Sequence, residues 1–215
     1  MNIYNVIILD ESGSMSIIYK ETLTSMNEVI GGIRKTQEEY PDQKNFVTIV
    51  TFEGYGVSAI KKRRDRVPVE TVADFKEADY QPGGCTSLYD AMGKTLNELE
   101  ALVREDDKVM ATIITDGYEN ASEEYSGKAI KALVERLRGK GWTFSYIGAT
   151  KDAVEVARDL NIDNALQFDA TPEGVFEMGL RFSTARRKAS SIWYKQRDDV
   201  LNDSLKGLFD PDSED

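Results

Sequence analysis

Residues 2–16, NIYNVIILDESGSMS, decide how the rest of the chain is read. Val6-Ile7-Ile8-Leu9 is a continuous apolar, largely β-branched run bounded by turn formers, which predicts a strand buried on both faces. The run stops at Asp10. Asp10, Ser12 and Ser14 then fall within five residues, with Gly13 letting the backbone turn, so three oxygen-bearing side chains are expected to converge at a strand's carboxyl end. Hard oxygen donors suit Mg2+ or Mn2+. The plainer alternative is that they cap the helix that follows.

Working outward, 17–40 carries Leu23, Met26, Val29, Ile30 and Ile33 at helical spacing and ends at Tyr40-Pro41-Asp42. Phe46–Phe52 reads as a strand, joined through Glu53-Gly54-Tyr55-Gly56 to an antiparallel one from Val57 to about Lys61. The basic run Lys61–Arg66 is expected to protect a sheet edge. A short helix is expected at Thr71–Phe75. The loop Gln81–Ser87, with Gly83 and Gly84 bringing the backbone close at Thr86, opens a helix from Leu88 to about Val103; it lacks the Gly-Lys-Ser/Thr ending of a phosphate loop. Val109–Thr115 is a second buried strand that ends in an acid, Asp116. In a parallel sheet both strand ends share one rim, and beside a switch in strand order they are neighbours, so Asp10 and Asp116 are expected within reach of one ion.

The remaining pattern alternates in the same way. Helices are expected at Glu123–Arg138 and Asp152–Leu160, and strands at Trp142–Ile147 and Ala165–Phe168. Thr171-Pro172-Glu173 starts a last helix, with Val175, Phe176, Phe182, Ala185, Ala189, Ile192 and Trp193 as its buried stripe. Six basic residues and no acid lie between Arg181 and Arg197, and seven acids against Lys206 lie between Asp198 and Asp215. The division expected is one domain over 1–195 and a flexible acidic tail over 196–215. That tail offers carboxylates beside Leu205, Leu208 and Phe209 and could plug a metal site. There is no internal repeat.

Composition narrows the chemistry. With 215 residues the chain can bury one full α/β core. It has no histidine, which rules out Ser-His-Asp and Cys-His catalysis within the chain and most zinc sites. The net charge of −11 disfavours general phosphate-backbone binding. The single cysteine, Cys85, is expected to be a small buried residue and fits a reducing compartment. No apolar run is long enough to span a membrane and the strand begins at once, so a cytoplasmic protein without a signal peptide is expected.

Three stretches together resemble the von Willebrand factor type A domain over about residues 2–193. Its metal-ion-dependent adhesion site combines Asp-x-Ser-x-Ser after the first strand, a later Thr, and an Asp after the fourth strand. Here these are Asp10-Glu11-Ser12-Gly13-Ser14, Thr86 within Gly84-Cys85-Thr86-Ser87-Leu88, and Asp116 within Thr115-Asp116-Gly117. The resemblance implies a three-layer, Rossmann-like α/β fold with a mostly parallel six-stranded sheet and one antiparallel edge strand. It also implies that Ser12 and Ser14 bind Mg2+ (or Mn2+) directly, that Thr86, Asp10 and Asp116 share direct and water-mediated contacts, and that an Asp or Glu of a partner protein completes the ion. A freestanding bacterial member serving a multiprotein assembly, without enzymatic activity, is the expectation. Two rivals are weighed against it. A Mg2+-dependent phosphoryl-transfer enzyme using Asp10 as nucleophile needs a second acid two residues on, where this chain has Ser12. Nucleic-acid binding would use the basic segment 181–197.

Overall fold

The computed structural model describes residues 1–56, 59–196 and 205–210. Six strands, β1 (Asn2–Asp10), β2 (Lys44–Phe52), β3 (Ile60–Pro68), β4 (Lys108–Thr115), β5 (Thr143–Gly148) and β6 (Asn164–Gln167), form one sheet in the order β3-β2-β1-β4-β5-β6. All pairs are parallel except β2 with β3. Helices α1 (Tyr19–Glu39) and α5 (Pro172–Lys195) cover one face, and α2 (Leu88–Glu100), α3 (Gly127–Arg138) and α4 (Ala153–Asp159) cover the other.

Strand β1 shows why this is a three-layer fold. Ile3, Ile7 and Leu9 enter the core under α1 and α5, whereas Val6 and Ile8 enter the core under α2 and α3. Alternate side chains leave a strand on opposite faces, so a strand apolar at every position needs cover on both. The order reverses at β1. From it the chain goes outward to β2 and β3 on one side, then returns to place β4 on the other, which leaves the carboxyl ends of β1 and β4 side by side as expected.

Several boundaries differ from those expected. The third strand begins at Ile60 and contains the whole basic run; Val57 and Ser58, where it was expected to start, lie outside the described residues. The charges are tolerated there because β3 is an edge strand whose cations find acids: Arg63 reaches Glu11, and Arg64 reaches Asp79. No α-helix forms at Thr71–Phe75. Instead, a 3-10 turn over Val69–Thr71 gives way to extended chain whose peptide groups are taken by side chains of α1: Arg34 Nη2 donates to Val72 O, while Asn27 bonds both the N–H and C=O of Phe75. Residues 13–18 are a 3-10 turn ahead of α1. Helix α2 stops at Glu100, and α3 starts at Gly127 because the backbone of 123–125 is bound by Asp90.

On α5 the buried stripe is Val175, Met178, Phe182, Ala185, Ala189 and Trp193. Phe176 falls off the helical spacing of these six and is exposed, whereas Ile192, three residues after Ala189, lies at the edge of the stripe and is half-buried. Of the expected acidic tail, 197–204 and 211–215 lie outside the described residues. The segment 205–210 is packed rather than free. Leu208 and Phe209 join the core under α5, Leu205 N donates to Thr143 Oγ1, and Leu208 N donates to Asn164 Oδ1. Thr143 and Asn164 begin β5 and β6. These six residues therefore sit at the opposite end of the sheet from Asp10 and do not plug it.

Candidate functional site

The five residues singled out above come together on the carboxyl-end rim of the sheet. Asp10 is the last residue of β1 and has no exposed surface. Ser12 N donates to its Oδ1 at 2.7 Å, which folds the chain back over the strand end. Ser12 Oγ and Ser14 Oγ lie 3.2 Å apart, and Ser14 Oγ donates to Asp116 Oδ1 at 2.6 Å. Gly117 locates the remaining donors. A Cβ built on it would lie 3.3 Å from Thr86 Oγ1, 3.7 Å from Ser14 Oγ and 3.9 Å from Asp10 Oδ2. Oxygens from the end of β1 and its following loop and from the Thr86 loop thus face one small space beside Gly117 of the loop after β4, and a larger residue at 117 would crowd it.

The electrostatics of this space are one-sided. Asp10 and Asp116 have no basic partner within ion-pair distance among the described residues. Burial pushes the Asp10 carboxyl up to about 6, against hydrogen bonds from Thr115 and Ser12, and the charge of Asp116 raises it further. Burial raises Asp116 as well. Because the folded-state pKa of Asp10 lies above its unfolded value, its ionisation destabilises the metal-free fold. That penalty is absent below about pH 4 and grows as pH rises toward and through about 6. In EDTA the melting temperature of the native chain is therefore expected to fall, relative to Asp10→Asn, between pH 5 and pH 7. Equal slopes for the two proteins would refute this.

The loops are held by residues that the motif does not name. Thr115 Oγ1 donates to Asp10 Oδ2 at 2.6 Å, so the residue before Asp116 ties the two strand ends together. Tyr80, fully buried, donates its hydroxyl to Asp10 O. Thr86 is clamped by Asn120: its N–H donates to Asn120 Oδ1, and its C=O accepts from the N–H groups of Asn120 and Ala121. Glu119 accepts from Tyr89 N, Ala121 N and Ser122 N. Asp90 accepts from the N–H groups of 123–125. These two acids join the start of α2 to the loop after β4. The only sequence signal for them is a concentration of acids and hydroxyls around two loops, which does not say which acids face inward.

Gly84, at φ +64°, is needed where its loop passes Gly54, whose N–H donates to Cys85 O. Cys85 itself is half-buried rather than buried, with its thiol 3.4 Å from the Tyr55 hydroxyl on the rim. The basic segment 181–197 does not form a free cationic stripe: Arg186 is buried, Arg187 pairs with Glu39, and Arg181 donates to Phe209 O. Arg197 lies outside the described residues.

Among the described residues no group of three or more His, Cys, Asp or Glu side chains gathers. The rim site has only two acids, and its other oxygens are hydroxyls. No described helix is long and apolar enough to cross a membrane.

Solved structures share this fold at low identity. The PilB minor pilin from Streptococcus sanguinis superposes with a TM-score of 0.62 at 11% identity, over 91% of this chain and 63% of that one. The pilus adhesin SpaC from Lactobacillus rhamnosus GG gives 0.65 at 12%, over 87% and 30%. A von Willebrand factor type A protein from Catenulispora acidiphila gives 0.57 at 16%, over 85% and 42%. The chain thus spans less than two thirds of each of these proteins. No curated protein matches it. The family model for the von Willebrand factor type A domain matches residues 6–173, most of the chain and all three loops of the rim, and the chain belongs to that family.

Proposed function

We propose that Asp10, Ser12, Ser14, Thr86 and Asp116 hold Mg2+ or Mn2+ and that the bound ion captures an Asp or Glu of a partner protein. The observation that carries this reading is the pair of desolvated carboxylates without a basic partner, facing three hydroxyls across one small space. Oxygen donors with no nitrogen or sulfur match hard cations. Two carboxylates and neutral hydroxyls leave a divalent ion able to attract a further anion. Exposed Ile17, Tyr55 and Tyr118 stand on the loops after β1, β2 and β4, and they suit a partner segment whose acid is flanked by apolar side chains.

The role is binding without catalysis. Ser12 stands two residues after Asp10, where aspartyl phosphoryl transfer needs an acid, and its N–H is already spent on Asp10. A phosphatase screen in Mg2+ is expected to be negative. Action in the cytoplasm of a bacterium, within a multiprotein assembly, belongs to the same proposal and rests on the resemblance and on the single cysteine; fractionating the native host tests it.

The direct experiment is capture of partners by the tagged chain with Mg2+ and with EDTA, where metal-dependent capture is expected. Retention of the same partners in EDTA would count against the metal. Thr86→Ala is expected to lower the melting temperature by only a few degrees, because Asn120 grips the backbone of Thr86 and not its hydroxyl. It should still weaken partner binding roughly tenfold, for one lost ligand contact worth ~1.4 kcal/mol. Calorimetry showing unchanged affinity would remove Thr86 from the site.

A further inference from the structure

A second polar cluster lies inside the molecule, under α5 and toward the amino ends of β1 and β2. Arg186 is 3% exposed on the buried side of α5. Its Nη2 donates to Asn5 Oδ1. No carboxylate pairs with it among the described residues, and burial pulls its guanidinium down to about 9. The neighbouring side chains close a ring of hydrogen bonds. Asn5 Nδ2 donates to Asn45 Oδ1 at 3.1 Å, Asn45 Nδ2 to Gln43 O at 3.3 Å, and Gln43 Nε2 to Ser190 O at 2.7 Å. Ser190 lies one turn of α5 beyond Arg186, which completes the circuit.

On this ring Arg186 Nε, Ser190 Oγ and Gln43 Oε1 have no partner. Trp193 Nε1, further along the same stripe, also has none. Three of these four are donors, all three on successive turns of the buried face of α5, and one carries a buried positive charge. Unpaired buried donors and uncompensated buried charge are both costly. A water molecule would satisfy a donor and the Gln43 acceptor yet leave the charge as it is. A carboxylate on another protein could not reach groups with so little exposed surface.

We propose that Arg186 and Ser190 hold a small monovalent anion of the halide class, which ties the carboxyl half of α5 to β1 and β2. The site is separate from the rim: Asn5 and Asp10 are five residues apart on one strand, roughly 16 Å at the rise of a strand. It uses none of the rim oxygens and does not depend on the metal reading.

The test uses the full chain in EDTA, so that no rim metal can bind the anion. Melting temperature is measured at constant ionic strength in sodium gluconate, chloride and bromide. A saturable rise of about 3 °C is expected in both halides, as for a ligand present well above its dissociation constant. The rise is expected to vanish in Arg186→Met. Ser190→Ala, which keeps the charge and loses one hydroxyl, should need a higher halide concentration for the same rise. If Arg186→Met does not fold, Ser190→Ala and crystals grown in bromide decide the matter, with an anomalous peak expected beside Arg186 Nε. Identical melting in gluconate and halide would overturn the proposal. So would a bromide peak without saturable stabilisation, which would mean an adventitious ion only, or ordered water beside Arg186 with no anomalous signal.

Discussion

Asp10→Ala is expected to remove the whole rise in melting temperature that Mg2+ or Mn2+ produces in the native chain, and metal-dependent partner capture with it. An ion at a hundred times its dissociation constant stabilises the folded state by about 2.7 kcal/mol. For a chain of this size that corresponds to roughly 5–10 °C. The variant should nevertheless fold in EDTA, because the substitution removes a carboxylate that burial already disfavours as an anion. The Thr115 hydroxyl keeps a second acceptor in Gly117 O at 3.2 Å. Ser12→Ala should behave in the same way toward the metal while leaving the Ser12 N–H to Asp10 bond intact. The ligand assignment fails if both variants retain the full metal-induced shift.

Glu11→Ala is expected to produce the largest loss of stability of any single substitution on the rim. Glu11 has no exposed surface. Its two carboxylate oxygens accept from Arg63 Nη2 at 3.0 and 3.1 Å, Lys61 Nζ lies 3.5 Å away, and Gln81 N donates to Oε1 at 2.5 Å. Removing one partner of a buried charge pair costs about 3–5 kcal/mol, because the other charge is left behind. The Arg63 side chain is 19% exposed, so the lower end of that range is expected. The Glu11 side chain also helps position the Thr86 loop, since its carboxylate accepts from Gln81 N at the start of that loop. Metal response should therefore weaken along with stability. Urea unfolding checks the size of the loss, and the double variant Glu11→Ala with Arg63→Met should recover part of it by removing the stranded charge. A loss below about 1 kcal/mol would show that water solvates Arg63 well enough to make the pair dispensable.

Local pattern carried much of this molecule. Val6–Leu9 and Val109–Thr115 announce central strands because residues buried on both faces must be apolar at every position, and such a run is visible without knowing its neighbours. Thr171-Pro172 announces the start of α5 because an N-cap hydroxyl and a proline are needed in any helix that begins there, and the Thr171 side chain does accept from Gly174 N. Asp10, Ser12, Ser14 and Asp116 stand out locally because each follows the end of such an apolar run, and the resemblance to the three-part motif of the family adds Thr86 and joins the five into one set.

Tertiary structure alone decided what those loops rest on. Glu11 is adjacent to Asp10 in sequence yet serves Arg63, and Thr115 meets Asp10 across 105 positions of chain. Nothing local marks an acid as inward-facing when its partner is that distant. The basic run Lys61–Arg66 is a strand rather than a fringe because acids on other elements neutralise it, and Arg186 is buried although its neighbours Arg187 and Lys188 reach the surface groove beside α5. Apolar periodicity is a property of one segment and can be read from it. The partner of a charge is a property of the packed whole, because only packing decides which side chains lose their water together.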